Sequence, residues 1–289
     1  MEFTCPFCSS NQFTHKITCI DYTVSKEKFN IVSCNKCGLW QTFPFPEEKD
    51  IEKYYQSKEY ISHSDKKDTF FDKLYHLVRN YTLIQKVNLV RKYVPHGTIL
   101  DIGCGTGYFL EKCQKNKFNV YGIEPSSEAR GLAISKNLKV YENVDSVIQN
   151  NLKFDVITMW HVLEHLYNPG AFVNTLYNML NNNSYAIIAV PNRNSFDAQH
   201  YKEFWAGYDV PRHLFHYTKK DIHNLFHQKF SLIKIYPMYF DSFYVSILSE
   251  KYKENNIPFV KGLFWGLISN LRAMSSGEYS SLIYVFQKK

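Results

Sequence analysis

Short apolar runs alternate with helix-period patterns over the last two thirds of the chain. The helical patterns predict helices that begin near N-cap residues such as Ser126 and Thr218. Strands that alternate with helices specify a parallel, doubly wound sheet whose ligand lies beyond the carboxyl ends of the strands. We therefore predict an α/β fold with a Rossmann-like, seven-stranded sheet. The predicted strands are 98–100, 118–123, 140–142, 154–159, 185–190, 230–235 and 281–286, and the predicted helices are 106–117, 126–136, 168–182 and 219–228.

A glycine-rich turn follows the first predicted strand. Glycines let the backbone approach a ligand where a Cβ would collide, and the next helix presents its N-terminus to a negative group. Asp101 precedes the turn, and a carboxylate there suits a cofactor with a cationic amino acid better than a phosphate. Glu124 ends the second strand and is placed to accept the hydroxyls of a ribose. Since no Gly-Lys-Ser/Thr sequence lies nearby, the pattern favours S-adenosylmethionine over a nucleoside triphosphate.

These residues make roughly residues 80 to 289 resemble the class I S-adenosylmethionine-dependent methyltransferases. In similar enzymes a segment before the first strand folds over the cofactor, often with a Tyr. By analogy Tyr55 and Tyr60 are candidates, and aromatic packing is the alternative. The resemblance implies cofactor contacts from Asp101, Gly103, Cys104, Gly105, Thr106, Gly107, Tyr108, Phe109, Glu124, Pro125, Trp160, His161 and Tyr60.

Two Cys-x-x-Cys knuckles lie near the N-terminus, at Cys5 and Cys8 and at Cys34 and Cys37. Four thiolates at this spacing suit a closed tetrahedral zinc site, and about 40 residues bury too little core to fold without such a site. The alternative is a set of reduced thiols without metal. We interpret residues 1–45 as a zinc ribbon. The remaining cysteines are expected to be small apolar fillers: Cys19, Cys104 and Cys113.

The stretch 160–166 follows the fourth strand and has the sequence Trp-His-Val-Leu-Glu-His-Leu. If it is helical, His161, Glu164 and His165 share one face. It resembles the Glu-x-x-Glu-His motif of ubiquinone-pathway O-methyltransferases, whose side chains can hold a divalent ion, although His161 replaces the first Glu. A second possibility is a general base within this trio. In a third, Glu164 and His165 fix the loop while His161 alone faces the pocket.

An insertion at 195–217 is rich in pocket-forming side chains. Its Asp-x-Pro-Arg-His-Leu run, 209–214, resembles a branch of bacterial small-molecule methyltransferases. Arg212 could pair with an anionic substrate group and His213 could be the base. Alternatively, Asp209 and Arg212 form an internal ion pair that shapes a lid. The substrate-binding candidates are Trp205, Tyr208, Arg212, His216 and, from a second insertion, Tyr244.

That second insertion, 237–279, is rich in aromatic residues. They could line an apolar pocket, touch a membrane surface or form a homodimer contact, and packing within a lid or an interface is the default expectation. Its apolar stretch, 259–271, is too short to span a bilayer. Between the ribbon and the methyltransferase domain, 97–289, residues 46–96 are expected to be a helical linker and cofactor lid.

Composition sets limits on location and on partners. The chain has 289 residues, 45% of them hydrophobic, and we expect a cytoplasmic protein because it shows neither a transmembrane stretch nor a signal peptide. Residues 1–50 carry 5 basic and 6 acidic side chains, a balance of −1, although the whole chain carries +7. Phosphate binding needs clustered Lys and Arg, so nucleic acid is an unfavoured partner.

Two functions remain open from the sequence. The first is O- or C-methylation of a small molecule such as a sugar or secondary metabolite, because certain sugar C-methyltransferases also carry an N-terminal zinc module. The alternative is methylation of an rRNA or tRNA base, with the zinc module binding RNA. Intact Asp101, Gly103 and Glu124 make a binding protein without turnover a poor third choice.

Overall fold

The structure, a computed structural model, describes residues 4–55 and 70–289. Its first strands form an antiparallel sheet that carries the cysteine knuckles: β1 (Phe13–Ile20), β2 (Lys28–Cys34) and β3 (Trp40–Phe43). A 3-10 segment, Glu48–Tyr55, follows. The further strands are β4 (Thr98–Ile102), β5 (Asn119–Ile123), β6 (Lys139–Tyr141), β7 (Phe154–Trp160), β8 (Leu180–Pro191), β9 (Phe215–His216), β10 (Phe230–Pro237) and β11 (Ser281–Lys288).

Helices separate these strands and cover both faces of the main sheet, as the alternating pattern predicts. Their bounds are α1 (Phe70–Tyr93), α2 (Tyr108–Lys115), α3 (Ser127–Ile134), α4 (Val144–Gln149), α5 (Pro169–Met179), α6 (Phe196–Tyr201), α7 (Lys219–Phe226), α8 (Asp241–Tyr252) and α9 (Pro258–Ser276). The Ser126 hydroxyl caps α3, and Thr218 forms a capping box with Asp221 at the start of α7. Both predicted caps are therefore present.

Seven of the described strands form the predicted sheet, in the order β10-β11-β8-β7-β4-β5-β6. Among them β11 runs antiparallel to both of its neighbours, while β4 pairs in parallel with β5 and β7. The carboxyl ends of β4, β5 and β7 therefore meet at one edge. In this register Asp101 lies beside Thr158 on β7 and Gly122 on β5.

The structure corrects one predicted boundary, adds one helix and shows that the segment after β7 is not helical. Residues 180–182 belong to β8 rather than to the preceding helix, because Leu180 is buried and pairs with Phe154 on β7. Helix α4 was not predicted, since six residues are too few to show an apolar periodicity, although Asn143 caps its start. The segment after β7 is not a helix, because His161 has a left-handed φ of 59° and only Leu163–His165 form a 3-10 turn.

The first insertion does not stand apart from the ribbon. Strand β9 pairs with β3, which makes the four-stranded order β1-β2-β3-β9 within the described residues. Trp40 lies opposite His216, and Gln41 lies opposite Phe215. The predicted ribbon and the predicted insertion thus share one sheet.

The second insertion is a hairpin of α8 and α9 between β10 and β11. In the parts of the chain that the structure describes, none of the helices has the length and apolar character needed to cross a bilayer.

Candidate methyl-transfer site

The glycine turn after β4 leaves a space for a ligand. Gly105 has a left-handed φ of 54°, and a Cβ built there would meet nothing within 4 Å. Gly103, with φ of 72°, packs so closely that a Cβ would lie 2.6 Å from the Val162 side chain. The turn therefore needs glycine both for its backbone and for its contact with the segment after β7.

Asp101 lies on β4, two residues before Gly103, and is 2% exposed. The Thr158 hydroxyl donates a 2.6 Å hydrogen bond to its Oδ1. Burial raises the pKa of Asp101 to about 7, although the Thr158 hydrogen bond and the nearby charge of Lys86 oppose this shift. A cationic ligand group beside Asp101 would restore its charged form.

Glu124, at the end of β5, holds the turn in place. Its two carboxylate oxygens accept hydrogen bonds from the backbone N–H groups of Gly105, at 2.8 Å, and Ser126, at 2.9 Å. A carboxylate has about four lone-pair directions, so it can still accept ribose hydroxyls. These contacts fit S-adenosylmethionine, which presents an ammonium group and a ribose.

Aromatic and basic side chains form the walls of this region. Trp160 packs edge-on against Phe109 at 5.5 Å, and the Lys86 ammonium lies 4.3 Å above the Trp160 ring. Trp160 Nε1 is buried, with no hydrogen-bond partner within the described chain. The Lys136 ammonium lies 3.4 Å above the Tyr108 ring. The other cofactor candidates lie nearby in sequence: Cys104 is buried, Thr106 accepts from Lys136 through its carbonyl, Gly107 begins α2, and Pro125 is exposed.

Tyr60 lies outside the described residues. Tyr55, the other tyrosine candidate, lies inside them, with its hydroxyl 2.9 Å from His165 Nδ1.

His161 bridges two carboxylates. Its Nδ1 lies 3.3 Å from Glu164 Oε1, and its Nε2 lies 3.1 Å from Asp241 Oδ2, at the first residue of α8. Burial disfavours its charged form, yet the two carboxylates outweigh burial and raise the pKa of His161 to about 9. At neutral pH His161 is therefore an imidazolium and has no free lone pair to act as a base.

Glu164, His165 and His213 converge, with candidate ligand atoms that all lie within 4.8 Å of one another. Glu164 is fully buried, and neither of its oxygens receives a well-aligned hydrogen bond from the part of the chain that is described. Burial would favour the neutral acid, but contact with His161 and the charge of His213 hold the pKa of Glu164 below its usual range. His213 Nε2 lies 4.0 Å from Glu164 Oε1.

Both histidines of this cluster point their Nδ1 atoms at backbone carbonyls. His213 Nδ1 lies 3.0 Å from the Gly207 carbonyl, and His165 Nδ1 lies 2.9 Å from the Arg212 carbonyl. Because a carbonyl only accepts, these contacts favour a proton on each Nδ1, and the Tyr55 hydroxyl would then accept from His165 rather than donate to it. The Nε2 of a neutral ring would keep its lone pair. Burial, together with the charge of His213, lowers the pKa of His165 to about 4.

The Arg212 guanidinium is engaged inside the protein. It donates to Asp209 Oδ1 at 2.6 Å, to Asp21 Oδ1 at 3.0 Å and to the Tyr54 carbonyl at 2.8 Å. Burial disfavours its charge, but these carboxylates hold the pKa of Arg212 above its usual range. Of the two alternatives for Arg212, these contacts match the internal ion pair with Asp209 rather than a pair with a substrate. The ion pair also includes Asp21 of the ribbon.

The other substrate-binding candidates are divided between interior and surface. Trp205, Tyr208 and His216 are buried in the junction between the insertion and the ribbon. Trp205 Nε1 donates to Asp197 Oδ2 at 2.8 Å, and His216 Nε2 lies 3.0 Å from the Thr42 hydroxyl. Tyr244 is instead about half exposed, on α8. The structure therefore does not bring these four side chains together in one pocket.

The four knuckle cysteines cluster as a zinc site requires. Cys5 and Cys37 Sγ atoms lie 3.5 Å apart, those of Cys8 and Cys34 lie 3.4 Å apart, and all four lie within 4.8 Å of one another. Sulfurs about 2.3 Å from a shared zinc would be about 3.8 Å apart, so the set fits a tetrahedral ion. Cys19, Cys104 and Cys113 are buried away from it, as expected of apolar fillers.

Sequence reasoning missed Lys86, Asp241 and Asp21. Lys86 lies on α1 near Asp101, Asp241 contacts His161 from 80 positions away, and Asp21 meets Arg212 from the ribbon. Each of these contacts depends on how distant elements pack, and a single sequence carries no local signal for them.

The strand order, its one reversed strand and the acidic residues around a glycine turn together define the class I S-adenosylmethionine-dependent methyltransferases. A family model described as a methyltransferase domain matches residues 75–229, more than half of the chain, and the chain belongs to this family. The predicted enzyme class is confirmed, and S-adenosylmethionine is the methyl donor of that class.

Among curated relatives, the ubiquinone biosynthesis O-methyltransferase of Rickettsia bellii is 25% identical over 83% of this chain and 95% of its own length. The Paraburkholderia phytofirmans enzyme of the same name is 30% identical over 34% of this chain and 45% of its own length.

Two solved structures share the fold. The magnesium protoporphyrin IX methyltransferase of Synechocystis, with bound S-adenosylhomocysteine, has a TM-score of 0.56 at 16% identity and covers 84% of this chain and all of its own. A possible histamine N-methyltransferase from Thermotoga maritima has a TM-score of 0.51 at 18% identity, over 75% of this chain and 94% of its own. At these identities the likeness is one of fold.

Proposed function

We propose that this enzyme methylates an oxygen or a carbon of a small-molecule acceptor, such as a sugar or a secondary metabolite, with His213 as the general base. Methyl transfer to a hydroxyl or to an acidic carbon requires removal of a proton. The observation that carries the proposal is the position of the two His213 ring nitrogens, which favours a proton on Nδ1. That proton would be held by the Gly207 carbonyl, and Nε2 faces the buried Glu164 carboxylate. Glu164 would stabilise the imidazolium once the proton has been taken.

The Asp101 and Glu124 carboxylates would hold the ammonium group and the ribose of S-adenosylmethionine. His161 would keep the loop after β7 attached to α8 rather than act as a base, because its own carboxylate partners keep it protonated. A small-molecule acceptor is supported by the ubiquinone biosynthesis O-methyltransferase of Rickettsia bellii, since its match extends over 83% of this chain.

A second mechanism uses a divalent ion held by Glu164, His165 and His213. Two histidines and a carboxylate are a common ligand set, and metal-binding histidines usually donate their other N–H to a carbonyl or carboxylate, as both do here. Such an ion would polarise the acceptor oxygen.

A screen of small-molecule acceptors with labelled S-adenosylmethionine tests the function, and variants test the mechanism. We expect His213→Ala to lower the methylation rate about 10²-fold or more, with S-adenosylhomocysteine affinity unchanged within a few-fold. His223→Ala, an exposed histidine on α7, is the matched control and should retain full rate.

Metal dependence distinguishes the general-base mechanism from the mechanism with a divalent ion. Turnover that EDTA abolishes and magnesium restores, with Glu164→Gln as harmful as His213→Ala, would favour the divalent ion. A full rate in His213→Ala would remove His213 from both mechanisms.

Methylation of an RNA base remains the alternative function, and labelled RNA in place of a labelled metabolite would establish it. It is less well supported, because residues 1–50 carry a net charge of −1 and the β3 edge of the ribbon is paired with β9 rather than open.

A further inference from the structure

Small residues fill the contact between α8 and α9. A Cβ on Gly262 would lie 2.5 Å from the Ile247 Cα, and one on Gly266 would lie 2.8 Å from the Phe243 Cα. The two helices therefore touch backbone to backbone along a Gly-x-x-x-Gly face. Other small residues of the two helices are buried as well: Ser242, Ser246, Ser249, Ser269 and Ala273. Of these, Ser269 donates to Asp197 of α6.

Most large apolar side chains of α9 are exposed, whereas Trp265 packs against Phe196 and His200 of α6. The exposed side chains recur every three or four residues and so form one stripe along the helix. Phe264 is 54% exposed and Met274 is 74% exposed. A hairpin that packs in water normally buries its large apolar residues and exposes its small polar ones. Here the order is reversed along the whole stripe, which consists of Val260, Leu263, Phe264, Leu267, Leu271 and Met274.

Exposed aromatic residues continue this stripe toward the methyl-transfer site. Tyr239, Phe240 and Tyr244 are exposed at the start of α8, and Phe240 contacts the exposed Tyr81 of α1 at 5.7 Å. We call the stripe together with Tyr81, Tyr239, Phe240 and Tyr244 the outer face. Its inner end lies at Asp241, the residue that contacts His161.

The exposed charges around the hairpin are mostly positive. Glu250 is buried, where it accepts from Tyr201, and Asp241 is paired with His161. Among residues 241–276, Glu254 is therefore the one exposed acidic residue, and α9 contains no acidic residue. The same range has four exposed basic residues: Lys251, Lys253, Lys261 and Arg272.

We propose that the outer face binds an anionic membrane surface, with the α8–α9 hairpin lying in the headgroup region rather than crossing the bilayer. Apolar and aromatic side chains flanked by basic ones are the composition of interfacial helices. A lipid surface neutralises the basic residues, whereas a symmetric dimer through this face would bring the same positive charges together. The acceptor site then opens beside the interface, so acceptors dissolved in or attached to the membrane can reach it.

Sedimentation with phospholipid vesicles tests the proposal, and it needs no methyl acceptor. The full chain should sediment with phosphatidylglycerol vesicles and not with phosphatidylcholine vesicles. The triple variant Phe264→Ser, Leu267→Ser, Leu271→Ser should bind at least about tenfold less, because it removes the buried apolar area. The control variant Leu132→Ser, Ile134→Ser, Ile148→Ser changes apolar residues of similar exposure on α3 and α4 and should bind as before.

A charge variant keeps the test decisive if the triple variant fails to fold. Lys251→Glu with Lys261→Glu should weaken phosphatidylglycerol binding about fivefold or more per residue. Retained S-adenosylhomocysteine binding verifies the fold of each variant. Vesicle binding that none of these changes affects, or no vesicle binding at all, would overturn the proposal. A stable dimer in sedimentation velocity that the triple variant converts to a monomer, without vesicle binding, would assign the face to a second copy.

Discussion

At the scale of single residues, Asp101 is the group whose ionisation a bound cofactor would change. It is buried beneath the glycine turn, and its pKa is raised to about 7 by that burial. A bound ammonium group favours the ionised form, so binding and deprotonation of Asp101 reinforce each other.

This coupling predicts a pH dependence of cofactor affinity. With the pKa of Asp101 near 7 before binding and lower after it, affinity for S-adenosylhomocysteine is full above pH 7. It should fall by up to about tenfold per pH unit below that. Calorimetry between pH 5.5 and 8.5 measures it. Asp101→Asn should bind more weakly and without this slope, whereas Glu124→Ala should lose about 1.5–3 kcal/mol and keep it. A flat wild-type profile would contradict the role of Asp101.

The pattern of apolar and polar residues predicted the positions of Asp101 and Glu124 but not the surroundings of Arg212. Asp101 lies near the end of β4 and Glu124 follows β5. The apolar runs define both strands, so the confirmed sheet fixes where the two carboxylates lie. The surroundings of Arg212 could not be read in the same way. Its neighbour Asp209 suggested an ion pair at short range, but Asp21 and the Tyr54 carbonyl reach it only because the ribbon folds against the insertion.

At the scale of elements, strand β3 of the ribbon positions the loop that carries His213. The Thr42 backbone N–H donates to the Leu214 carbonyl at 3.0 Å, and its hydroxyl donates to the His213 carbonyl at 2.6 Å. Both contacts are buried, and they flank the side chain proposed as the base. Through these contacts the ribbon would hold the backbone that carries the proposed base.

We therefore expect Thr42→Val to lower the methylation rate several-fold while S-adenosylhomocysteine affinity changes less than about twofold. Valine keeps the shape of threonine but leaves the His213 carbonyl without this donor, which should also cost about 1–3 kcal/mol of stability. Steady-state rates and chemical denaturation measure the two effects. Thr14→Val, which removes an exposed ribbon hydrogen bond to Asn35, is the matched control. An equal loss of rate in both variants would indicate a general effect of ribbon stability.

Strand β9 shows why the contact between the ribbon and the His213 loop could not be predicted from the sequence. It is two residues long, too short for any alternation to predict a strand, and its partner lies about 175 positions earlier in the chain. The central strands β4, β7 and β8 were predicted because each contains an apolar run that is buried in the sheet.

At the scale of the whole molecule, the ribbon and the methyltransferase sheet share one hydrophobic core. Cys5, Cys34 and Leu39 belong to the same buried cluster as Phe215 and Tyr284. Phe7 stacks on Phe215 at 6.3 Å, and Phe45 meets the same ring edge-on at 5.5 Å. Loss of order in the knuckles would therefore expose apolar surface of the enzyme itself.

Zinc removal should consequently lower the stability of the entire chain. Elemental analysis is expected to give one zinc per protein, held by the four knuckle cysteines. A single calorimetric transition should move down by roughly 10 °C or more on chelation, because metal binding is coupled to folding of a module that shares the core. Methylation should fall with it, whereas cofactor affinity at temperatures below the transition should persist, since Asp101 and Glu124 lie on the main sheet. Zinc added back should restore the midpoint. A separate low-temperature transition with the main one unmoved would show that the ribbon unfolds alone, and a zinc-free protein with the original midpoint would refute the metal site.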